Sequence, residues 1–283
     1  MHSGAGPLLG YREDVSLILI NCDDLGMSHE STRAALAALR SGTATSATLI
    51  VPATGAAEAA EQTRGESVGV HLTLNSEWEF DRWRPLTPAP SLCDPDGSLC
   101  RNPADTCNQA DAEEVRAEFH AQIERAIAWG IEPTHLDSHM YLVQERSDFF
   151  DIYLDLACEY ELPVRVSGSI RLADHPFRRR ARERGVVCPD HLIKLDRVGS
   201  REPLTKALAH LPPGLTEFHV HPAEDSPNLR RLASDWPGRV DDRDLLASSA
   251  FWQLISDSNA AIVGYRDLRD AARAVKRNAS RTG

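Results

Sequence analysis

Short apolar runs of strand length alternate with helix-forming runs along most of the chain, and no other feature of the sequence restricts the fold as much. Successive parallel strands of one sheet need a long crossover between them, which is usually a helix. The alternation therefore predicts an α/β fold with mostly parallel strands, although the pattern alone leaves open whether the sheet closes into a barrel. The strand-like runs cover residues 17–21, 47–51, 68–74, 134–138, 163–167, 215–221 and 260–264, and the helix-like runs cover 28–40, 56–62, 111–129, 148–160, 242–257 and the segment from 267 onward.

The 283 residues are enough for one large α/β barrel or for two average domains. Hydrophobic residues make up 42% and charged residues 26%, which is ordinary for a globular protein and excludes a disordered one. Because the alternation continues to the end of the chain, we expect one domain over residues 15–275. Residues 1–14 and 276–283 are expected to be flexible.

The excess of acidic residues limits which molecules the protein is expected to bind. There are 42 acidic and 31 basic residues, a formal net charge of −11. An acidic surface repels phosphate groups, which argues against nucleic acid and against an anionic membrane. No apolar run approaches the roughly 18 residues of a membrane span, and the first residues do not resemble a secretion signal. We therefore expect a cytoplasmic protein, with the basic segment 178–184 forming a solvated helix face.

The six cysteines are too sparse for a disulfide scaffold, and none forms a Cys-x-x-Cys pair. Cys93, Cys100 and Cys107 are spaced by seven residues, whereas tight zinc sites use spacings of about two to four. We expect free thiols in a loop.

Residues 75–110 show no periodicity and contain several prolines together with Trp78 and Trp83. A loop of this length inside a compact domain is usually functional or disordered. The two tryptophans favour a functional loop, so we expect an insertion that faces the substrate.

Polar residues with acid–base or metal-binding chemistry gather where the predicted strands end, which is where α/β folds place their functional groups. Of two adjacent carboxylates, one can be a metal ligand while the other acts as a base, because a dication relieves their repulsion. Histidines from other strands can complete the ligand set or protonate a leaving group. These residue types predict metal-assisted hydrolysis. The residues are Asp23, Asp24, His71, His135, Asp137, His139, His219 and His221.

Four segments also carry a family resemblance: INCDDLGMS, VGVHLTLN, THLDSHMYLV and HVHPAED. In order and spacing they resemble the signature segments of the YdjC-like carbohydrate deacetylases, which include chitooligosaccharide and hopanoid-type deacetylases. The end of the chain, up to about residue 270, is similar to that family as well.

The resemblance implies a distorted (β/α) barrel of mostly parallel strands, related to polysaccharide deacetylases. It implies one divalent metal ion, Mg or Zn, held by Asp24, His71 and His139. Asp23 matches the catalytic base and His221 the general acid, with metal-activated water as the nucleophile. The implied reaction removes acetyl groups from N-acetylated amino sugars or oligosaccharides.

Further residues are candidates for binding the small carbohydrate substrate or for positioning the site. An indole face stacks well on a pyranose ring, which assigns that role to the two tryptophans of the loop. Many family members have His-x-His where this chain has His139-Met140-Tyr141, and a tyrosine can bind substrate but is a poor ligand for Mg or Zn. The candidates are Trp78, Trp83, Asp137, Tyr141, Arg165 and His219.

Two alternatives stay open beside the deacetylase. A metal-dependent phosphoesterase or amidohydrolase would typically open with His-x-His on its first strand, whereas this strand ends in Asp23-Asp24. A catalytically inactive carbohydrate-binding relative would not need both Asp23 and His221. A homodimer is the expected assembly.

Overall fold

A computed structural model describes residues 4–167, 176–195 and 206–282 of the chain. Among these residues there are seven strands, all in parallel register with their neighbours. Six of them lie in the order β4-β3-β2-β1-β6-β5, and β7 pairs with the start of β1. The strands are Ser16–Leu25 (β1), Ser46–Leu49 (β2), Val68–Leu72 (β3), Leu136–Ser138 (β4), His191–Leu195 (β5), Gly214–Val220 (β6) and Ala261–Ile262 (β7).

The sheet curls into half of a barrel, which confirms the α/β class with parallel strands. The predicted strand at 163–167 is wrong as a full strand, because only Val164 bridges to Leu136 of β4. The Val164 N–H donates to the carbonyl of Val187, so this segment is bonded on both sides. It lies between β4 and the residues that precede β5, and Arg165 is buried there.

Eleven helices of at least four residues are bounded within the described residues. They are Ala5–Leu8 (α1), His29–Ser41 (α2), Ala56–Gln62 (α3), Pro103–Gln109 (α4), Ala112–Ala128 (α5), Ser147–Glu159 (α6), Pro176–Glu183 (α7), Pro227–Leu232 (α8), Trp236–Leu246 (α9), Ser249–Asp257 (α10) and Tyr265–Thr282 (α11). Residues 206–209 are helical as well, and short 3₁₀ segments cover Pro90–Leu92 and His139–Gln144.

The helix boundaries follow from their caps. The Ser28 hydroxyl accepts a hydrogen bond from the Ser31 N–H at the start of α2, and Gly42 ends that helix with a φ of 73°. The predicted helix at 242–257 is instead two helices, α9 and α10. They separate at Ser248, whose hydroxyl accepts from the Phe251 N–H and starts the second one.

The segments expected to be irregular contain regular structure. Ala5 of α1 is buried in an apolar cluster with Leu17, within the segment expected to be flexible. Helix α11 continues to Thr282, through most of the predicted tail. The insertion at 75–110 contains α4 and bridges that join Asn75 to Cys100 and Cys93 to Leu99.

The amphipathic helices cover the sheet, and their apolar faces complete its core. Strand β1 is buried along nearly its whole length, as expected for the centre of a parallel sheet. Among the described residues, no helix is long and apolar enough to span a lipid bilayer. The expected homodimer and the cytoplasmic location stay predictions.

Candidate active site

Asp23 and Asp24 occupy an irregular end of β1. The register between β1 and β2 shifts between Cys22 and Leu25, and Asp24 has a φ of 62°. In a regular strand two neighbouring side chains point to opposite faces. The bulge and the left-handed residue instead bring both carboxylates to one cleft at the carboxyl edge of the sheet. A non-glycine residue in that conformation is strained, which is common at functional sites.

Asp24, His71 and His139 converge at this edge. The Oδ1 atom of Asp24 lies 3.4 Å from Nε2 of His71 and 3.5 Å from Nδ1 of His139. All three residues are buried. On its other oxygen, Asp24 accepts a hydrogen bond from Nη1 of Arg239 at 2.8 Å. Burial favours the protonated acid, but Arg239 and the two imidazoles outweigh it and hold the pKa of Asp24 well below its usual range.

Each imidazole has a carboxylate on its other nitrogen. Nδ1 of His71 lies 2.7 Å from Oδ2 of Asp137, and Nε2 of His139 lies 3.0 Å from Oε2 of Glu77. Burial opposes the charged imidazolium, but Asp137 raises the pKa of His71 to about 9. Glu77, with Asp24, likewise raises the pKa of His139 to about 10. A carboxylate on the remote nitrogen fixes the orientation of a metal-binding imidazole.

Arg165 is buried between three carboxylates. Its guanidinium donates to both oxygens of Asp23 at 2.6 and 2.7 Å, to Asp137 at 2.5 Å and to Glu217 at 2.7 and 2.8 Å. Burial raises the pKa of Glu217, whose other oxygen accepts from the Tyr265 hydroxyl at 2.6 Å. Asp23 is buried too, but Arg165 overcomes the effect of burial and keeps its pKa well below the usual range.

Two histidines of the last motif lie beside Asp23. Nδ1 of His219 is 3.2 Å from Oδ2 of Asp23, and its Nε2 is 2.7 Å from the Tyr141 hydroxyl. Nε2 of His221 lies 3.7 Å from the same Asp23 oxygen, and the His221 side chain is 19% exposed. Burial lowers the pKa of His221 to about 4, so its imidazole is neutral near neutral pH.

These groups line a cleft of about 800 Å³ at the carboxyl edge. Trp78 lines it, whereas Trp83 is 2% exposed and packs behind Trp78 with a ring-centroid distance of 6.2 Å. Of the two tryptophans, only Trp78 is therefore placed to contact a substrate. The basic side chains Arg230 and Arg231 stand on another wall of the same cleft.

The structure brings together all the predicted residues except Trp83 and His135, which stacks on Tyr265 at a ring-centroid distance of 3.5 Å, and it adds three that sequence reasoning missed. Glu77 follows the second motif closely, and an acidic residue just after a histidine-bearing strand was a usable signal. Glu217 lies two residues before His219, so both side chains share one face of β6. Arg239 sits in α9 with no motif around it, and nothing in the sequence points to its contact with Asp24.

The site satisfies a direct test for a metal ion. Oδ1 of Asp24 is buried without a hydrogen-bond partner in the described part of the chain, which is costly for a carboxylate oxygen. Ligands about 2.1 Å from one ion lie roughly 3 to 3.5 Å apart. The two distances from Asp24 to the imidazole nitrogens fall in that range. These three residues could hold a divalent cation.

Comparisons with known proteins agree with this geometry. A family model described as YdjC-like protein matches residues 17–257. A carbohydrate deacetylase of Thermus thermophilus is 34% identical over 246 residues, which cover 80% of this chain and 84% of that protein. A chitooligosaccharide deacetylase of Proteus mirabilis is 32% identical over 156 residues, covering 53% and 58%.

A solved structure is similar as well. A protein of Enterococcus faecalis, provisionally named a cellobiose-phosphate cleavage protein, superposes with a TM-score of 0.79 at 25% identity. The match covers 90% of this chain and 99% of that one.

Fold and site together define a class of protein: a parallel α/β half-barrel with a buried carboxylate–histidine site at its carboxyl edge. Within that class, the chain belongs to the YdjC-like family, because the family model spans most of its length. The resemblance drawn from the four motifs is confirmed. Several relatives in this family are named carbohydrate deacetylases, which are hydrolases.

The shared contacts of Arg165 predict a stability effect. Arg165→Met leaves the buried carboxylates of Asp23, Asp137 and Glu217 without their common cation. Removing one partner of a buried ion pair costs about 3–5 kcal/mol, so we expect the free energy of unfolding in urea to fall by about that amount. Arg230→Met is the control, since its pair with Asp225 is exposed and screened by solvent. Equally small changes in both variants would contradict the role given to Arg165.

Proposed function

We propose that this chain is a metal-dependent hydrolase that removes acetyl groups from N-acetylated amino sugars or short oligosaccharides. The observation that carries the proposal is the convergence of the unpartnered Asp24 oxygen with the nitrogens of His71 and His139, beside the ionised Asp23. The substrate class rests on family membership and on the names of the relatives.

Asp24, His71 and His139 would hold one divalent cation. One carboxylate and two imidazoles form a donor set that suits Zn²⁺ better than Mg²⁺, which prefers oxygen ligands. When bound, the cation would polarise the acetamide carbonyl and make a nearby water molecule more acidic. Asp137 and Glu77 then keep the two imidazoles oriented through their remote nitrogens.

Asp23 is the proposed general base. Arg165 binds both of its oxygens and keeps it ionised, and its position next to Asp24 allows it to take a proton from water. Arg165 and His219 act as positioning residues, because both hold the Asp23 carboxylate in place and His219 is itself fixed by the Tyr141 hydroxyl.

His221 is the proposed donor of the proton that the leaving amine needs. Its pKa of about 4 means that it starts the reaction neutral, so it must gain that proton during turnover. Oδ2 of Asp23 lies 3.7 Å from Nε2 of His221, a gap that a small side-chain movement closes. We therefore propose that the proton taken by Asp23 passes to His221 and from there to the sugar nitrogen.

The exposed wall of the cleft suits a carbohydrate. The small exposed part of the Trp78 indole can contact the apolar face of a pyranose ring, while the polar side chains around it offer partners for hydroxyl groups. Trp83 is proposed only to support Trp78.

Acetate release separates the proposal from its alternatives. We expect Zn²⁺-loaded protein to release acetate from at least one member of a panel of N-acetylated mono- and oligosaccharides, and not to hydrolyse p-nitrophenyl phosphate. Asp24→Ala should lose both bound metal and acetate release, as measured by elemental analysis and enzyme assay. Phosphate release without acetate release would favour the phosphoesterase, and sugar binding without either product would favour the inactive relative.

Asp23 and His221 should matter for turnover more than for metal binding. Asp23→Asn and His221→Ala are each expected to lower kcat by about 10² to 10⁴, as is typical of general acid–base groups. Both should keep stoichiometric metal in elemental analysis. His210→Ala, which removes an exposed histidine, is the matched control and should keep normal kcat. Near-normal turnover by His221→Ala would remove His221 from the mechanism.

The low pKa of His221 also predicts how kcat/KM depends on pH. A bound cation would offset the charge of Asp24, one of the groups that raise this pKa, and would lower it further. The neutral form of His221 is then present across neutral pH. The kcat/KM of the metal-saturated enzyme is therefore expected not to fall between about pH 6 and 8. A fall that disappears in His221→Ala would show that His221 must start protonated.

A further inference from the structure

A second cleft of about 630 Å³ lies at the amino edge of the sheet, where β5 and β6 begin. Its walls come from α1, α7 and α11 together with the strand starts at His191 and Gly214. Strand β6 has seven residues, so its two ends are about 20 Å apart. No described residue lines both this amino-edge cleft and the cleft that holds Asp23 and Asp24.

Arg178 lines the amino-edge cleft and is 1% exposed. This corrects the expectation that segment 178–184 is a fully solvated helix face. Nη2 of Arg178 donates to the Val166 carbonyl at 3.1 Å, but Nε and Nη1 have no partner among the residues that the structure describes. A buried guanidinium with two unused donors is costly unless an anion or water meets it. Burial accordingly lowers the pKa of Arg178.

The acidic groups nearby do not neutralise this charge. Asp190 is one of the two carboxylates of the cleft wall, and one of its oxygens accepts from the N–H groups of Ala5 and Leu215 at 3.3 and 2.9 Å. No described carboxylate lies within ion-pair distance of Arg178. Although the chain carries a net charge of −11, four basic residues line this cleft against two acidic ones. They are Arg12, Arg178, Arg182 and Lys276 against Glu13 and Asp190.

Apolar side chains form another part of the wall. Val275 is 39% exposed, which makes it one of the few large hydrophobic residues left open to solvent, and Pro7 and Leu8 of α1 line the same space. Cys188 adds no negative charge, because burial raises the pKa of its thiol to about 11. The cleft thus combines the buried charge of Arg178, other charged side chains and apolar side chains, in a volume typical of small-molecule sites.

We propose that the amino-edge cleft binds a small organic carboxylate. The carboxylate group accepts hydrogen bonds from the unused donors of Arg178, and the hydrocarbon body packs on Val275 and α1. A single buried guanidinium matches the one charge of a carboxylate better than the two charges of a phosphate monoester. This site is independent of the proposed hydrolysis at the carboxyl edge.

The test uses hexanoate as the probe, with hexanol, hexylamine and inorganic phosphate for comparison, and measures thermal shifts and calorimetric affinity. Hexanoate at millimolar concentration is expected to raise the Tm of the wild-type protein, and the other three compounds are expected to do so much less. Arg178→Met should weaken hexanoate binding by about tenfold or more, since a hydrogen bond to a charged group is lost. Arg178→Lys should keep part of the affinity.

Two further variants test whether hexanoate binds in the amino-edge cleft or in the cleft at the carboxyl edge. Val275→Glu changes an exposed residue, so it should fold normally and still repel hexanoate. Arg231→Met removes a basic residue of the other cleft and should leave hexanoate binding unchanged. Equal binding of hexanoate by the wild type and Arg178→Met, or no binding by the wild type, would overturn the proposal. Loss of binding in Arg231→Met alone would place the carboxylate at the carboxyl edge and overturn it as well.

Discussion

The buried guanidinium of Arg165 is the interaction on which the rest of the carboxyl edge depends. It donates hydrogen bonds to Asp23, Asp137 and Glu217 and offsets part of the negative charge of three buried carboxylates that would otherwise repel one another. Through Asp137 it also acts on the imidazole of His71. One cation therefore sets the charge of the proposed base and supports the orientation of a proposed metal ligand.

The two adjacent aspartates differ in which oxygens are occupied. Arg165 contacts both oxygens of Asp23, whereas Arg239 contacts only one oxygen of Asp24. The other oxygen of Asp24 stays open toward His71. The pKa of each carboxylate is held well below its usual range, but Oδ1 of Asp24 has no hydrogen-bond partner among the described residues, so the same residue type can serve once as a base and once as a ligand.

Much of this arrangement could be predicted from the sequence, because parallel strands bring their carboxyl ends to one edge. Asp137, a candidate binding or positioning residue, lies with its Oδ2 atom 2.7 Å from Nδ1 of His71. Arg239 could not be predicted, since its approach to Asp24 depends on how α9 packs against α2 and no local pattern encodes that packing. Segment 163–167 has strand composition, yet it forms a bridge only at Val164. The secondary-structure propensity of the local sequence determines neither the contact of Arg239 nor the pairing of this segment.

Proton release on metal binding tests most directly whether Asp24, His71 and His139 form a metal site. With pKa values of about 9 and about 10, His71 and His139 are protonated in the metal-free protein at about pH 7.5 and must lose those protons to bind a cation. Calorimetric titration with Zn²⁺ in two buffers of different ionisation enthalpy is predicted to show about two protons released per ion, and about one in His139→Ala. Tight binding without proton release, or the same release in wild type and variant, would contradict the proposed site.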